Sequence, residues 1–180
     1  MFLYQIPDIS RFDHQKYDAI QLLLQYFSSG FSSRLFQVLR EKHGLVYGVQ
    51  SSCEVSPVPH LIPGEFIIDI KVDPRHVQQV VDIVSAEIER VQQILPSRRE
   101  MQGLRNNLHF QESMDISNYR PGKHAENSAI YTIWNYPIQS DSKSYKNMRK
   151  VKAHDIRDIA RQLFRDKYKL LAIGQGTVNS

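Results

Sequence analysis

Hydrophobic and polar positions follow two different periods along this chain, and the places where the period changes mark its elements. The opening stretch alternates, with Phe2, Tyr4 and Ile6 apolar, which predicts a strand ended by Pro7. Asp13 is placed to cap a helix through Tyr17, Ile20, Leu23, Leu24 and Phe27 that stops near Gly30. Ser32 or Ser33 can cap a second helix with Leu35, Phe36 and Leu39 on its apolar face and Gly44 as its left-handed end. From Leu45 the period becomes two. Residues 45–55 predict a strand, and Glu65–Val72 predict another with Phe66, Ile68 and Ile70 on one face; the proline-rich 57–64 between them predicts a loop.

Asp73-Pro74 then opens a long amphipathic helix lined by Val77, Val80, Val81, Val84, Ile88 and Val91 and ended by Pro96. A capping box, Ser97 to Glu100, opens the next helix, which carries Leu104 and Leu108 towards Met114. Pro121-Gly122 interrupts an otherwise helical pattern in 117–136. The spacing predicts a last helix from Ser142 to Phe164 with a break near Lys152, its second half aligning Ile156, Ile159, Ala160, Leu163 and Phe164. An apolar strand from about Tyr168 closes the order. Strands separated by helix pairs predict an α+β fold, a two-layer sandwich of mixed or antiparallel sheet with helices on one face.

Composition narrows the class further. The 180 residues are 41% hydrophobic and 23% charged, with no linker or repeat, so one domain over 1–180 is expected and a disordered or fibrous chain is excluded. No run approaches the ~18 apolar residues of a membrane span. The opening MFLYQIPDIS lacks the basic segment of a signal peptide, and the compartment stays open. One cysteine, Cys53, excludes an internal disulfide and a cysteine-rich zinc site, and is expected to pack within its strand. The net charge of +4 is uneven: residues 141–169 hold ten basic and four acidic side chains, leaving −2 for the remainder. A nucleic-acid surface is one account of that excess. Cations at helical spacing opposite an apolar stripe fit a solvated helix face better.

The residues offer little chemistry by themselves. The histidines (His14, His43, His60, His76, His109, His124 and His154) include neither H-x-x-E-H nor its inverse, so no metal site is expected in this chain. Neither G-x-S-x-G nor a glycine-rich phosphate loop occurs, and no catalytic constellation is complete. One segment stands apart. In Ser32–Ser52 a helix closes at Arg40-Glu41-Lys42-His43-Gly44 and turns directly into a strand bearing Tyr47. Arg40, in the last helical turn, and Tyr47, seven residues on, can converge as donors to a carbonyl oxygen or an anion. The spacing equally allows Arg40 to pair with a carboxylate such as Glu41 or Asp8, with Tyr47 half-packed in the sheet.

Gly30, Ser33, Arg34, Leu35, Leu39, Arg40, Glu41, Gly44, Leu45 and Tyr47 fit in order and spacing a pattern from the pitrilysin/insulinase-type metallopeptidases, which include mitochondrial processing peptidase. The segment resembles the hallmark of that family's second, non-zinc domain. The opening strand and helix, the Asp73-Pro74 helix, the Ser97–Glu100 entry, Val151–Phe164 and the closing LLAIGQG resemble successive elements of one such domain. The resemblance implies two similar α+β domains around a chamber holding an extended peptide. It places zinc in the partner domain, none here, and gives Arg40 and Tyr47 the role of donors to substrate or tetrahedral intermediate. The implied partners are a zinc-bearing homologous domain and a peptide, with no membrane; a homodimer through the open chamber face is also allowed. The leading reading is therefore a substrate-binding, non-zinc half of a metallopeptidase, inactive alone. The alternatives are a catalytically idle scaffold subunit of the same fold and, more distantly, a nucleic-acid-binding module acting through 141–169.

Overall fold

The computed structural model describes residues 1–6, 9, 13–54, 63–117, 141–165 and 169–170, together with isolated positions between 122 and 133. The elements are β1 (Phe2–Ile6), α1 (His14–Ser28), α2 (Arg34–Phe36, continued as a π-helical turn over Gln37–Lys42), β2 (Val46–Glu54), β3 (Gly64–Val72), α3 (Val77–Gln93, entered by a 3₁₀ turn at Pro74–His76), α4 (Arg98–Ser117), α5 (Asp141–Met148), α6 (Ala153–Leu163) and β4 (Lys169–Leu170). The sheet runs β2-β3-β1-β4, and every neighbouring pair is antiparallel. This is the expected α+β architecture. Pro121 of the Pro121-Gly122 interruption, the 57–62 part of the proline-rich connection, Tyr168 and the closing strand beyond Leu170 lie outside the described residues.

Alternation sorts the sheet into two faces. Phe2, Tyr4 and Ile6 of β1 and Phe66 and Ile68 of β3 are buried beneath the helices, while Gln5, Glu65, Asp69 and Lys71 are exposed on the other side. In α1, Ile20, Leu23 and Phe27 are fully buried, and α3 and α6 add Val84, Val91, Ile156 and Leu163 to the same core. Phe164 ties the layers together. Its ring meets Tyr4, Phe66 and Phe27 edge-on at centroid separations of 4.6, 5.5 and 6.0 Å, contacts worth ~0.5–1.5 kcal/mol each beyond burial.

The helix ends follow local chemistry. Asp13 caps α1 by accepting from the Lys16 N–H at 3.3 Å, and Asp73 accepts from the Arg75 N–H at 2.9 Å. Ser97 and Glu100 form the reciprocal box, at 3.2 and 2.7 Å. One expectation needs correction. Ser33 occupies the N-cap of α2, but its hydroxyl caps nothing; it is buried without a hydrogen-bond partner among the described residues. The break expected near Lys152 is present: the last helical stretch is two helices, α5 and α6, separated at Arg149–Lys152. The Asp155 carboxylate accepts the Lys152 N–H at 2.8 Å and starts α6 afresh.

Candidate functional site

The segment from Gly30 to Val49 departs from regular geometry at four places. Gly30 and Gly44 both have positive φ, +75° and +62°, a region open to glycine without steric cost. Between them the helix widens into the π-helical turn, and behind Gly44 the Leu45 N–H reaches back to the Leu39 carbonyl at 2.9 Å. In β2, Val46 pairs with Val72 and Val49 with Ile70, so Tyr47 and Gly48 together oppose Lys71 in a β-bulge. Bulges of both kinds recur beside functional sites because they re-aim a side chain while the flanking residues keep their register. Here Val46 and Val49 both stay buried, and Tyr47 is turned out to 87% exposure.

Arg40 and Tyr47 are brought together, as the spacing suggested, but through ring and carbonyl. The Arg40 guanidinium donates to the Tyr47 backbone carbonyl at 2.6 Å. Its Cζ lies 5.2 Å from the Tyr47 ring centroid and 5.1 Å from that of Phe36, which is cation–π distance to both. Among the described residues no carboxylate pairs with it, so the Glu41 alternative does not hold; Asp8 lies outside them. The half-packed Tyr47 does not hold either, since the bulge removes that ring from the sheet interior. A guanidinium carries five N–H donors, and a carbonyl acceptor leaves most of them open to a ligand. Among the described residues, the cation is therefore held by uncharged partners alone.

Other members of the same pattern are structural. Leu35 and Leu39 are core residues. Arg34 forks onto Glu87 of α3, with Nε–Oε2 at 2.7 Å and Nη2–Oε1 at 2.9 Å. Beside it, Glu100 accepts from the buried Tyr26 hydroxyl at 3.2 Å and lies 3.5 Å from Arg90, whose guanidinium donates to Tyr26 at 2.5 Å. The sequence reading gave this network no role: its members lie up to 74 residues apart, and no local pattern joins them. It borders a polar cavity of about 440 Å³ between α1, α2 and α4.

Residues considered for other chemistry are dispersed. His14, His43, His76, His109 and His154 sit on separate elements, His60 and His124 lie outside the described residues, and no group of three or more metal-ligating side chains converges among those described. The sequence holds no H-x-x-E-H, and the described residues offer no set of ligands that fits a zinc ion. Cys53 is half-buried against the core, and burial, helped by Glu54, pushes its thiol up to about 12, away from nucleophile chemistry. In the basic C-terminal region, Arg149 pairs with Glu112 at 2.6 Å, Arg157 with Asp158 at 2.9 Å, and Arg161 donates to the Gln92 carbonyl at 2.6 Å. Arg149 and Arg161 tie separate helices together, and Arg157 pairs with its neighbour on the same helix. No helix among the described residues is long and apolar enough to cross a membrane.

Residues 1–108 match the family model described as the peptidase M16 inactive domain. No curated protein matches the chain. Similar solved structures include a conserved protein from Enterococcus faecalis V583, with TM-score 0.75, 19% identity, and coverage of 93% of this chain and 36% of that one. The peptidase M16 inactive domain from Pseudomonas fluorescens aligns with TM-score 0.71 and 20% identity over 89% of this chain and 36% of that one. A protease from Helicobacter pylori gives 0.71 and 20% over 91% and 37%. This chain thus spans a little over a third of each, and at such identities the likeness is one of fold. The match over 1–108 carries the family, and it agrees with the resemblance of the Gly30–Tyr47 pattern: the chain belongs to the peptidase M16 inactive domain family.

Proposed function

We propose that the chain is the substrate-binding, non-zinc half of a zinc metallopeptidase and completes an active site whose metal sits on a partner domain. The observation that carries this reading is Arg40: a cation with no carboxylate partner among the described residues, held against the carbonyl and ring of an exposed Tyr47. A scaffold needs neither that open charge nor that exposed phenol. The sheet face opposite the helices, with Gln5, Gln50, Ser52, Glu65, Asp69 and Lys71 exposed, suits the wet wall of a peptide chamber. In that chamber Arg40 and Tyr47 donate hydrogen bonds to a peptide carbonyl and strengthen them as its oxygen gains charge. A donor of this kind is worth ~3 kcal/mol, or ~10²-fold in rate.

The test is reconstitution. The chain alone is expected not to cleave a mixed peptide library, whereas the chain with an H-x-x-E-H-bearing partner is expected to do so. Arg40→Ala and Tyr47→Phe should each lower kcat/KM by ~10²-fold. A stable but inert assembly, or mutants as active as the parent, would favour the scaffold reading. Zinc-dependent cleavage by the chain alone would overturn the division of labour.

A further inference from the structure

The Arg40 site continues into aromatic surface. Phe31 lies in the turn after Gly30, with its ring 5.3 Å from that of Phe36 in edge-on contact and 77% of the residue exposed. Phe36 in turn lies beneath the Arg40 guanidinium, which also covers Tyr47. Contact therefore passes from Phe31 to Phe36 to Arg40 to Tyr47. An isolated surface phenylalanine needs no explanation, but this one extends a pair of rings that flank a cation. Its turn is also held. The Ser33 N–H donates to the Gly30 carbonyl at 3.2 Å, and the Gln37 side chain donates to the Phe31 carbonyl at 2.5 Å. The backbone that presents the ring is thus tied at both ends, so the ring stays exposed at little further cost in ordering.

Resting on the peptide-binding role of Arg40, we infer that Phe31 is a specificity-determining residue that selects substrates with a large apolar or aromatic side chain near the bound carbonyl. The cluster offers hydrogen-bond donors at its centre and apolar ring at its rim, so its occupant must present an acceptor and an apolar group together. An extended peptide does so. Phe31 is two contacts of about 5 Å from the guanidinium, and a strand advances ~3.3 Å per residue. The selected side chain then lies two or three residues from the carbonyl that Arg40 holds.

The test uses the 180-residue chain and two blocked peptides, acetyl-Ala-Ala-Phe-Ala-Ala-Ala-Lys-amide and its counterpart with alanine for phenylalanine. NMR titration follows the Phe31 ring and the Arg40 side-chain N–H. The phenylalanine peptide is expected to shift both signals and to bind about fivefold more tightly than the alanine peptide. Phe31→Ala should bring the two affinities level, and Phe31→Trp should restore the difference. Arg40→Ala should weaken both peptides. If the difference survives Phe31→Ala, or no peptide moves the Phe31 signals up to ~10 mM, the selectivity inference falls. If Arg40→Ala weakens neither peptide, the underlying peptide-binding reading falls instead.

Discussion

Arg34 and Arg40 stand six residues apart on one stretch of helix, both within the family pattern, and they have opposite surroundings. Arg34 faces the helical layer and closes a bidentate pair with Glu87, which is only 9% exposed. Arg40 faces the start of the edge strand and rests between two rings and a carbonyl. An arginine whose charge is cancelled within the fold is holding the fold. One whose charge is left uncancelled, while its position is fixed, is suited to receive something from outside. The contrast shows that membership of a motif does not itself assign a role. The wide helical turn and the β-bulge lie around Arg40, where the chain must turn its charge away from the core, and not around Arg34.

The largest test of that contrast exchanges the two arginines' consequences. Arg40→Ala is expected to lower the activity of the reconstituted peptidase by ~10²-fold while costing no more than ~1–2 kcal/mol of unfolding free energy, since two exposed cation–π contacts and one hydrogen bond are lost. Arg34→Ala should do the reverse. Leaving the Glu87 carboxylate buried and unpaired is expected to cost ~2–3 kcal/mol in urea denaturation, and Arg34→Lys should recover part of that without the fork. Equal stability of Arg34→Ala and the parent would remove the structural half of the comparison.

Asp18 supplies a buried charge of a third kind. It lies in α1, almost fully buried, without a cation facing it among the described residues, and burial pushes its carboxyl up to about 6. The folded state therefore holds this proton more tightly than the unfolded state, whose carboxyl titrates near 3.8. The resulting penalty is absent below about pH 4, grows as pH rises towards 6, and is complete above it. Asp18→Asn is accordingly expected to raise stability at pH 7 by on the order of 1–2 kcal/mol and to change little at pH 4. Denaturation at the two pH values checks this, and a gain of equal size at both would show that the carboxylate's charge is not the cause.

Legibility in the sequence followed the range of the interaction. Periods of two and 3.6, the Asp13 and Asp73 caps and the Ser97–Glu100 box are decided within a few residues, and the structure has them where the pattern put them. Arg40 and Tyr47 were legible as a pair because one tight turn joins them. What they do to each other was not: stacking in place of two parallel donors depends on a β-bulge set by pairing with β3. The Arg34–Glu87 fork spans 53 residues and exists only after α3 has packed across α2. Asp18 was hidden because α1 is covered by the sheet on one side and by α4, α5 and α6 on others, so a polar position beside Tyr17 becomes buried.

The smallest predicted effect concerns the turn that separates the two arginine environments from the strand. At Gly44 a Cβ would meet nothing within 4 Å, so crowding is not the obstacle; φ at +62° is. An L-residue pays ~1 kcal/mol there, and asparagine, whose short polar side chain tolerates the left-handed region, pays less. Gly44→Ala is thus expected to lose ~1 kcal/mol, or ~2–4 °C in Tm for a chain of this size, and Gly44→Asn roughly half as much. Because the turn sets where β2 begins, both variants should also loosen the Arg40–Tyr47 contact while leaving the Arg34–Glu87 pair intact, which side-chain N–H exchange at the two guanidinium groups reads directly. Faster exchange at Arg34 than at Arg40 would mean that the turn supports the helical layer and not the site.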